Sequence, residues 1–355
     1  MSVNNERTCV ITNGDSYLGF AIAYRMLQGK MKGERYYSTG GRICVFCRNC
    51  SGYDLSILQE MGAIVIEVNY EDEEMLCKAL KNAYVVSIIP EHSHNTLKEA
   101  ECMIKACKRQ NVEFLCMHSI VGVDRISKQG SSNEQQEYRH LKQIYKIEEK
   151  VRETYPEKHG IIRHSIFNQF LYFMAPQIEN KNVVALPAKE NANWGSVDVN
   201  DVLNAICMLA KEHEKRTDST SLHKKLYQFT PSRIMTSKEN VHEIAKGLER
   251  AEIKYVEISE SEMKKYLHRM KDDSRFKEHQ GHHEGGSWDH DGRWSIPIGK
   301  YLNDCAIEMI IEIWSMINAG KQDLRTNDLK MVLNTEPRTL KEYFKKNRSQ
   351  FHQFK

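Results

Sequence analysis

The segment VITNGDSYLGFAIA, from Val10 to Ala23, is a short apolar run, then a turn rich in small residues, then the start of a helix. Similar apolar runs recur along the chain and alternate with longer amphipathic segments: TCVIT (8–12), RICVFC (42–47), AIVIEV (63–68), YVVSII (84–89), EFLCMH (113–118) and GIIRHS (160–165). Near-continuous apolar runs are typical of strands covered on both faces, and strand–helix alternation favours right-handed crossovers. We therefore predict an α/β fold with a Rossmann-like doubly wound parallel sheet and a smaller α+β C-terminal lobe.

The turn Thr12–Gly19 follows the first predicted strand, where open α/β sheets bind ligands at the carboxyl ends of their strands. Helix N-termini favour phosphate, because their first amides lack partners inside the helix. Gly14 and Gly19 allow a close backbone approach, whereas Asn13 and Ser16 stand where two further glycines would be expected. Asparagine tolerates left-handed backbone and serine is small, so we predict that this turn binds the pyrophosphate of a dinucleotide. The alternative is an ordinary strand-to-helix connection.

Arg48 follows the second predicted strand in VFCRNC, with no acidic residue at that point. In dinucleotide-binding sheets an acid at this position binds the ribose hydroxyls, whereas an arginine accommodates a 2′-phosphate. The sequence therefore favours NADP over NAD as the cofactor. The alternative is a surface arginine at the end of a strand.

Two domains are predicted from the change of pattern after residue 164. Residues 1–164 form an NAD(P)-binding Rossmann core, and residues 165–355 form a smaller substrate or partner lobe, of which 194–232 return to the core sheet. Residues 271–297 are predicted to be a flexible loop rich in His and Gly. Its histidines could bind zinc or form a lid, but their spacing fits no defined site, so no metal is predicted; they are His279, His282, His283 and His290.

The bulk composition is that of an ordinary globular protein and narrows the choice of partners. The formal net charge of +3, from 51 basic and 48 acidic residues among 355, argues against direct nucleic-acid binding. No apolar run approaches a membrane span, and the polar start MSVNNERT has no signal-peptide core. The ten cysteines are expected to be reduced; Cys47 and Cys50 form a CxxC pair without a second pair at zinc spacing. We expect a cytoplasmic protein, with a nuclear location left open.

Several segments, in their order along the chain, resemble the NmrA-like proteins, atypical members of the short-chain dehydrogenase/reductase superfamily. That family carries TGxxGxxG after its first strand; Thr12 and Gly19 match this frame, while Asn13 and Ser16 depart from it. Other similar segments are CMHSIVGVD (116–124), YKIEEKVRETYPEKHGIIRHSIFNQF (145–170) and WGSVDVNDVLNAICMLA (194–210). The resemblance implies a Rossmann core that binds NAD(P), in a family of nucleotide-sensing regulators and NAD(P)H-dependent reductases.

The resemblance also implies a set of cofactor-binding residues. They lie in the first turn, at the ends of the following strands, and on the helix and loop that flank the sixth strand: Thr12, Asn13, Gly14, Ser16, Tyr17, Leu18, Gly19, Arg48, Asn69, Ile89, Pro90, His118, Ser119, Lys142 and Phe167.

Active reductases of the superfamily use a tyrosine acid, a lysine one helical turn later, and a serine after the fifth strand. Ser119, Tyr138 and Lys142 occur here in that order, with the last two on one face of a helix predicted over 134–154. A YxxxK pattern arises by chance in a chain this rich in both residues, and the charge around it is typical of a solvent-facing helix. Tyr145 or Lys146 could equally face the cofactor.

Three functions remain open on the sequence. The favoured interpretation is an NAD(P)-binding regulator or redox sensor with little or no dehydrogenase activity. A protein partner would recognise whether the nucleotide is bound. The first alternative is an NADPH-dependent oxidoreductase that reduces a small carbonyl or related substrate with Tyr138 and Lys142. The second is a scaffold that has lost the nucleotide.

Overall fold

The computed structural model describes residues 7–36, 41–51, 55–90, 93–126, 138–215, 224–277 and 298–352. The four histidines of the His-rich segment lie outside these ranges. The chain divides into two compact units, each assembled from three stretches. The first contains Met1–Ile120, Lys142–Arg163 and Leu203–Gln228, and the second contains Val121–Leu141, His164–Val202 and Phe229–Lys355.

A seven-stranded sheet forms the core of the first unit. Its strands are β1 (Thr8–Ile11), β2 (Arg42–Cys47), β3 (Ile64–Glu67), β4 (Ala83–Ile88), β5 (Phe114–Ile120), β6 (His159–His164) and β9 (Leu226–Phe229), in the order β3-β2-β1-β4-β5-β6-β9. The pairs β1–β2, β2–β3, β1–β4 and β4–β5 are parallel. The chain order reverses beside β1, which is the arrangement that opens a crevice at the strands' carboxyl ends. The predicted Rossmann-like fold is confirmed.

Helices flank this sheet and connect its strands. They are α1 (Tyr17–Met31), α2 (Leu55–Glu60), α3 (Glu73–Ala79), α4 (Thr96–Arg109), α5 (Arg139–Thr154) and α7 (Val199–Lys215). Side-chain caps define two of their starts: Ser16 accepts from the Gly19 amide before α1, and Asp72 accepts from the Met75 amide before α3. All residues of β1 and β5 are buried, as expected for strands covered on both faces.

The second unit combines short strands with the remaining helices of the described chain. These elements are α6 (Ala175–Lys181), β7 (Val183–Leu186), β8 (Asn193–Trp194), β10 (Met235–Thr236), α8 (Ser237–Gly247), β11 (Lys254–Glu257), α9 (Glu260–Asp272), α10 (Asp304–Asn318), α11 (Asp328–Leu333) and α12 (Leu340–Lys346). β10 pairs with β8 antiparallel, and β11 pairs with β7 in parallel. Trp194 and Trp314 pack edge-to-face in its core, with ring centroids 5.2 Å apart.

The start of α5 is capped by a residue far along the chain. The carboxylate of Glu312, on α10, accepts the amide hydrogens of His140 and Leu141 at 3.0 Å and lies 2.8 Å from His140 Nδ1. A carboxylate at this place bonds amides that have no partner inside the helix and interacts favourably with the helix dipole.

Among the helices of the described residues, none has the length and apolar character that a membrane crossing requires.

Candidate functional site

The turn after β1 is held by hydrogen bonds between its own residues. Asn13 adopts left-handed backbone, with φ of 49°. Its carbonyl accepts from the Ser16 amide at 2.9 Å and from the Ser16 hydroxyl at 2.7 Å. The Ser16 hydroxyl in turn accepts from the Gly19 amide at 3.1 Å. Ser16 therefore caps α1 and satisfies one of the amides that have no partner inside the helix.

The same turn is anchored to two neighbouring segments. The Asn13 amide donates to the Tyr70 hydroxyl at 2.7 Å, and Asn13 Nδ2 donates to the Ile89 carbonyl at 2.6 Å. Thr12 Oγ1 accepts from the Ile89 amide at 2.9 Å. Asn13 Oδ1 is buried without a hydrogen-bond partner. The structure thus brings together the predicted residues Thr12, Asn13 and Ile89, and adds Tyr70, which the sequence analysis missed.

Two glycines of the turn have no room for a side chain. A Cβ at Gly19 would lie 2.0 Å from the Asn13 carbonyl oxygen, and a Cβ at Gly14 would lie 2.1 Å from Val45 Cγ1. The Gly14 amide donates to the carbonyl of Phe46 at 2.8 Å. Gly19, on α1, lies directly against the backbone of the turn, and Gly14, in the turn, lies directly against Val45 of β2, so a larger residue at either position would displace its neighbour. Between them, the predicted residues Tyr17 and Leu18 begin α1 and are buried.

Arg48 lies at the carboxyl end of β2, as predicted, and is engaged by three neighbours. Its amide donates to Asp15 Oδ2 at 2.8 Å, its Nη2 donates to Glu99 Oε2 at 2.5 Å, and its guanidinium lies 5.1 Å from the Tyr70 ring centroid. The Arg48 side chain is 37% exposed, whereas that of Glu99 is 7% exposed. Burial raises the pKa of the Asp15 carboxyl, and the Arg48 amide opposes this rise.

Asn69 and Pro90 follow β3 and β4 at the same edge of the sheet. Asn69 is exposed, and its Oδ1 accepts from the Glu71 amide at 3.0 Å. This contact forms a local turn that leads into α3. Pro90 is half-buried. Neither side chain takes part in the hydrogen bonds that anchor the Thr12–Gly19 turn.

His118 and Ser119, at the end of β5, are buried in polar clusters. His118 Nε2 lies 3.0 Å from the Ser87 hydroxyl. The Ser119 hydroxyl donates to Glu148 Oε1 at 2.6 Å, and Glu148 is fully buried on α5. Arg163 Nε and Nη2 donate to the two oxygens of Glu148 at 2.8 and 2.7 Å. Arg152 donates to the same carboxylate at 2.8 Å. Ser119 is therefore part of a buried ion-pair network.

The tyrosine and lysine of the proposed catalytic set differ in their surroundings. Tyr138 is buried in the second unit, immediately before α5 rather than inside it, and its hydroxyl accepts from Ser315 Oγ at 3.4 Å. The helix predicted from residue 134 thus begins at Arg139, and residues 134–137 lie outside the described ranges. Lys142 is half-buried on α5, Tyr145 is half-buried, and Lys146 is exposed.

Phe167 follows β6 in the second unit and is buried. Its ring stacks on His164, with centroids 4.4 Å apart. Burial lowers the pKa of His164 to about 4, so this imidazole is neutral near pH 7.

The seven-stranded sheet, with its strand order reversed beside β1, is that of a Rossmann-like fold. Residues 27–343 match the NmrA-like family, and the chain belongs to that family. The match begins inside α1, after the Thr12–Gly19 turn in which Asn13 and Ser16 depart from the family's glycines. The resemblance predicted from the sequence is confirmed.

Several solved structures with a similar fold are reductases, and another is a nucleoside-diphosphate-sugar epimerase from Staphylococcus aureus. The NADPH-dependent quinone oxidoreductase of Escherichia coli, complexed with NADPH, is 15% identical with a TM-score of 0.67, over 95% of this chain and 98% of that chain. The Citrobacter sp. triphenylmethane reductase complexed with NADP(H) is 15% identical with a TM-score of 0.68, over 96% and 99%. Leucoanthocyanidin reductase from Vitis vinifera is 12% identical with a TM-score of 0.61, over 96% and 99%. No curated protein matches the chain by sequence.

Proposed function

We propose that this NmrA-like protein binds NADP(H) and acts as a nucleotide-responsive regulator or redox sensor with little or no dehydrogenase activity. The turn after β1 carries the proposal: Asn13 is left-handed, Gly14 and Gly19 have no room for a Cβ, and the 15-residue helix α1 begins there. This combination of strand, turn and helix N-terminus suits a pyrophosphate. The NADPH and NADP(H) complexes of the similar reductases support the choice of cofactor.

The residues of the first unit fit such a group in three ways. The start of α1 would hold the pyrophosphate, with the phosphate oxygen replacing the Ser16 hydroxyl at the Gly19 amide. Asn13 Oδ1, a buried acceptor without a partner, would accept a hydrogen bond from the dinucleotide. Arg48 would bind the 2′-phosphate. Bound NADP(H) supplies hydride chemistry, and its redox state is what a sensor would report.

The lack of dehydrogenase activity is inferred from the hydroxyl groups of the proposed catalytic set. A general acid or an orienting hydroxyl must come within hydrogen-bond distance of the substrate. The Ser119 hydroxyl donates its hydrogen to the buried Glu148 carboxylate, and the buried Tyr138 hydroxyl accepts from Ser315. The Ser119 hydrogen is held by Glu148 and the Tyr138 side chain is only 2% exposed, which favours binding without turnover.

The reductase is the second candidate, because several of the similar folds belong to an NADPH-dependent quinone oxidoreductase, a triphenylmethane reductase and a leucoanthocyanidin reductase. Its acid would be Tyr138, with Lys142 contacting the ribose. A scaffold that has lost the nucleotide is the third candidate, since Ser16 already satisfies the Gly19 amide.

Titration with NADPH and NADP⁺, followed by oxidation of NADPH in the presence of quinones and aldehydes, separates the three candidates. We expect saturable binding, no turnover above the protein-free rate, and unchanged affinity in Tyr138→Phe, because the Tyr138 hydroxyl is engaged by Ser315. Turnover that Tyr138→Phe abolishes would establish the reductase. If neither nucleotide binds, the scaffold is the candidate that remains.

Glu99 is expected to weaken the preference for NADP(H) over NAD(H). Its buried carboxylate competes with a 2′-phosphate for Arg48 and repels that phosphate. In Glu99→Gln we expect about tenfold tighter binding of NADPH, or about 1.4 kcal/mol, and little change for NADH. Isothermal titration calorimetry with both nucleotides measures this ratio.

The matched control is Glu74→Gln, which removes an exposed carboxylate that pairs with Arg109 at 2.7 Å in the same unit. It should leave both affinities unchanged. Equal changes for NADPH and NADH in Glu99→Gln would show that Glu99 does not affect recognition of the 2′-phosphate.

A further inference from the structure

Two cysteines at the carboxyl end of β2 lie almost within bonding distance. The Sγ atoms of Cys47 and Cys50 are 3.3 Å apart, and both thiols are free. A disulfide places its sulfurs about 2.05 Å apart, so closing this pair requires a movement of little more than about 1 Å. The CxxC spacing seen in the sequence therefore corresponds to two adjacent thiols in the structure.

The two thiols differ in accessibility. Cys47 is the last residue of β2 and fully buried, and its Sγ lies 3.6 Å from the Ile66 carbonyl on the neighbouring strand. Cys50 is half-buried in the following loop, where its amide donates to Glu67 Oε2 at 3.0 Å. Burial raises the pKa of the Cys47 thiol well above its usual range. An oxidant from solution therefore reaches Cys50 first, while Cys47 stays in place on the sheet.

We propose that Cys47 and Cys50 form a redox-active dithiol that closes reversibly to a disulfide. With hydrogen peroxide as the oxidant, the Cys50 sulfur attacks one peroxide oxygen, the O–O bond breaks, and a sulfenic acid and one water form. The Cys47 sulfur then attacks the Cys50 sulfur, and the S–S bond forms as a second water leaves. The two thiols lose two electrons and two protons to the peroxide, and an added dithiol reverses the reaction by two exchange steps.

Closure would change the backbone beside the turn after β1. Arg48 and Asn49 lie inside the ring that the disulfide would close, and the Arg48 amide donates to Asp15 in that turn. We therefore expect oxidation to change the affinity for NADPH several-fold. This consequence rests on the proposed function, whereas formation of the bond does not.

The experiment treats the full chain with a small excess of hydrogen peroxide, blocks the remaining thiols with iodoacetamide, and maps disulfides by mass spectrometry after tryptic digestion. Cleavage after Arg48 separates the two cysteines, so the bond appears as two linked peptides whose fragmentation identifies the residues. We expect a loss of about 2 Da before alkylation, reversed by dithiothreitol, and a Cys47–Cys50 link in most molecules.

Cys50→Ser should abolish the link, whereas Cys102→Ser, which changes another half-buried cysteine, should retain it. Overoxidation of Cys50 without a link to Cys47 would overturn the proposal, and this result can be read from the native chain even if a variant fails to fold. Calorimetry with NADPH on the reduced and oxidised forms tests the consequence. If the disulfide forms but neither form of the protein binds a nucleotide, the proposed function is refuted and the proposal of a redox-active dithiol is not.

Discussion

Glu148→Gln is expected to lower the free energy of unfolding by about 3–5 kcal/mol. Glu148 is fully buried and accepts hydrogen bonds from Ser119, Arg152 and Arg163, of which Arg163 is only 2% exposed. The amide keeps the shape of the side chain but removes its charge. The buried Arg163 guanidinium then loses the charge of the Glu148 carboxylate, which compensated part of its desolvation.

Urea denaturation followed by circular dichroism measures this effect. The matched control is Glu153→Gln on the same helix, which removes a 64% exposed carboxylate that pairs with Lys150. Exposed pairs contribute little, so the control should lose less than about 0.5 kcal/mol. Similar losses in the two variants would mean that the buried network does not contribute to stability as we infer.

Gly19→Ala is expected to weaken NADPH binding by about 100-fold, or about 2.7 kcal/mol. The new Cβ would lie 2.0 Å from the Asn13 carbonyl oxygen, so the Asn13 peptide must move away from α1. That movement breaks the bonds from Asn13 to Ser16, Tyr70 and Ile89 and displaces the amides proposed to hold the pyrophosphate. Fluorescence titration with NADPH measures the affinity, and circular dichroism establishes that the variant is folded.

Gly33→Ala is the control for the cost of adding a methyl group to a glycine. Gly33 has φ of +82°, and a Cβ added there would have no other atom within 4 Å, so alanine is strained at this position without meeting a neighbour. We expect a loss of about 1–2 kcal/mol in stability and unchanged NADPH affinity. Unchanged affinity in Gly19→Ala as well would place the pyrophosphate away from this turn.

The fold was predictable because its signals are local. RICVFC coincides with β2, Arg42–Cys47, since five of its six residues are buried between two layers. The segment AIVIEV was predicted as an equally buried strand, but β3 has no buried residue and Ile64 is 39% exposed. β3 is at the edge of the sheet, and the position of a strand within a sheet is not encoded in its own residues.

The site was less predictable because its contacts join distant residues. The left-handed backbone of Asn13 was expected from the residue type. Tyr70 contacts Asn13, and Glu99 contacts Arg48. Nothing in the sequence marks either residue as part of the site except its place after β3 or near the start of α4. The charged residues around Lys142 were interpreted as part of a solvent-facing helix. Glu148 on that helix is nevertheless buried, because Arg163 on β6 compensates its charge.

The contact between Glu312 and the start of α5 has a consequence for synthesis of the chain. Glu312 and His140 are separated by 172 residues, so translation exposes α5 long before its capping carboxylate leaves the ribosome. Until then the first amides of α5 lack this partner, so we expect the first turn of α5 to fray in the nascent chain. Truncated chains that end before α10 should accordingly be recovered as aggregates or proteolytic fragments.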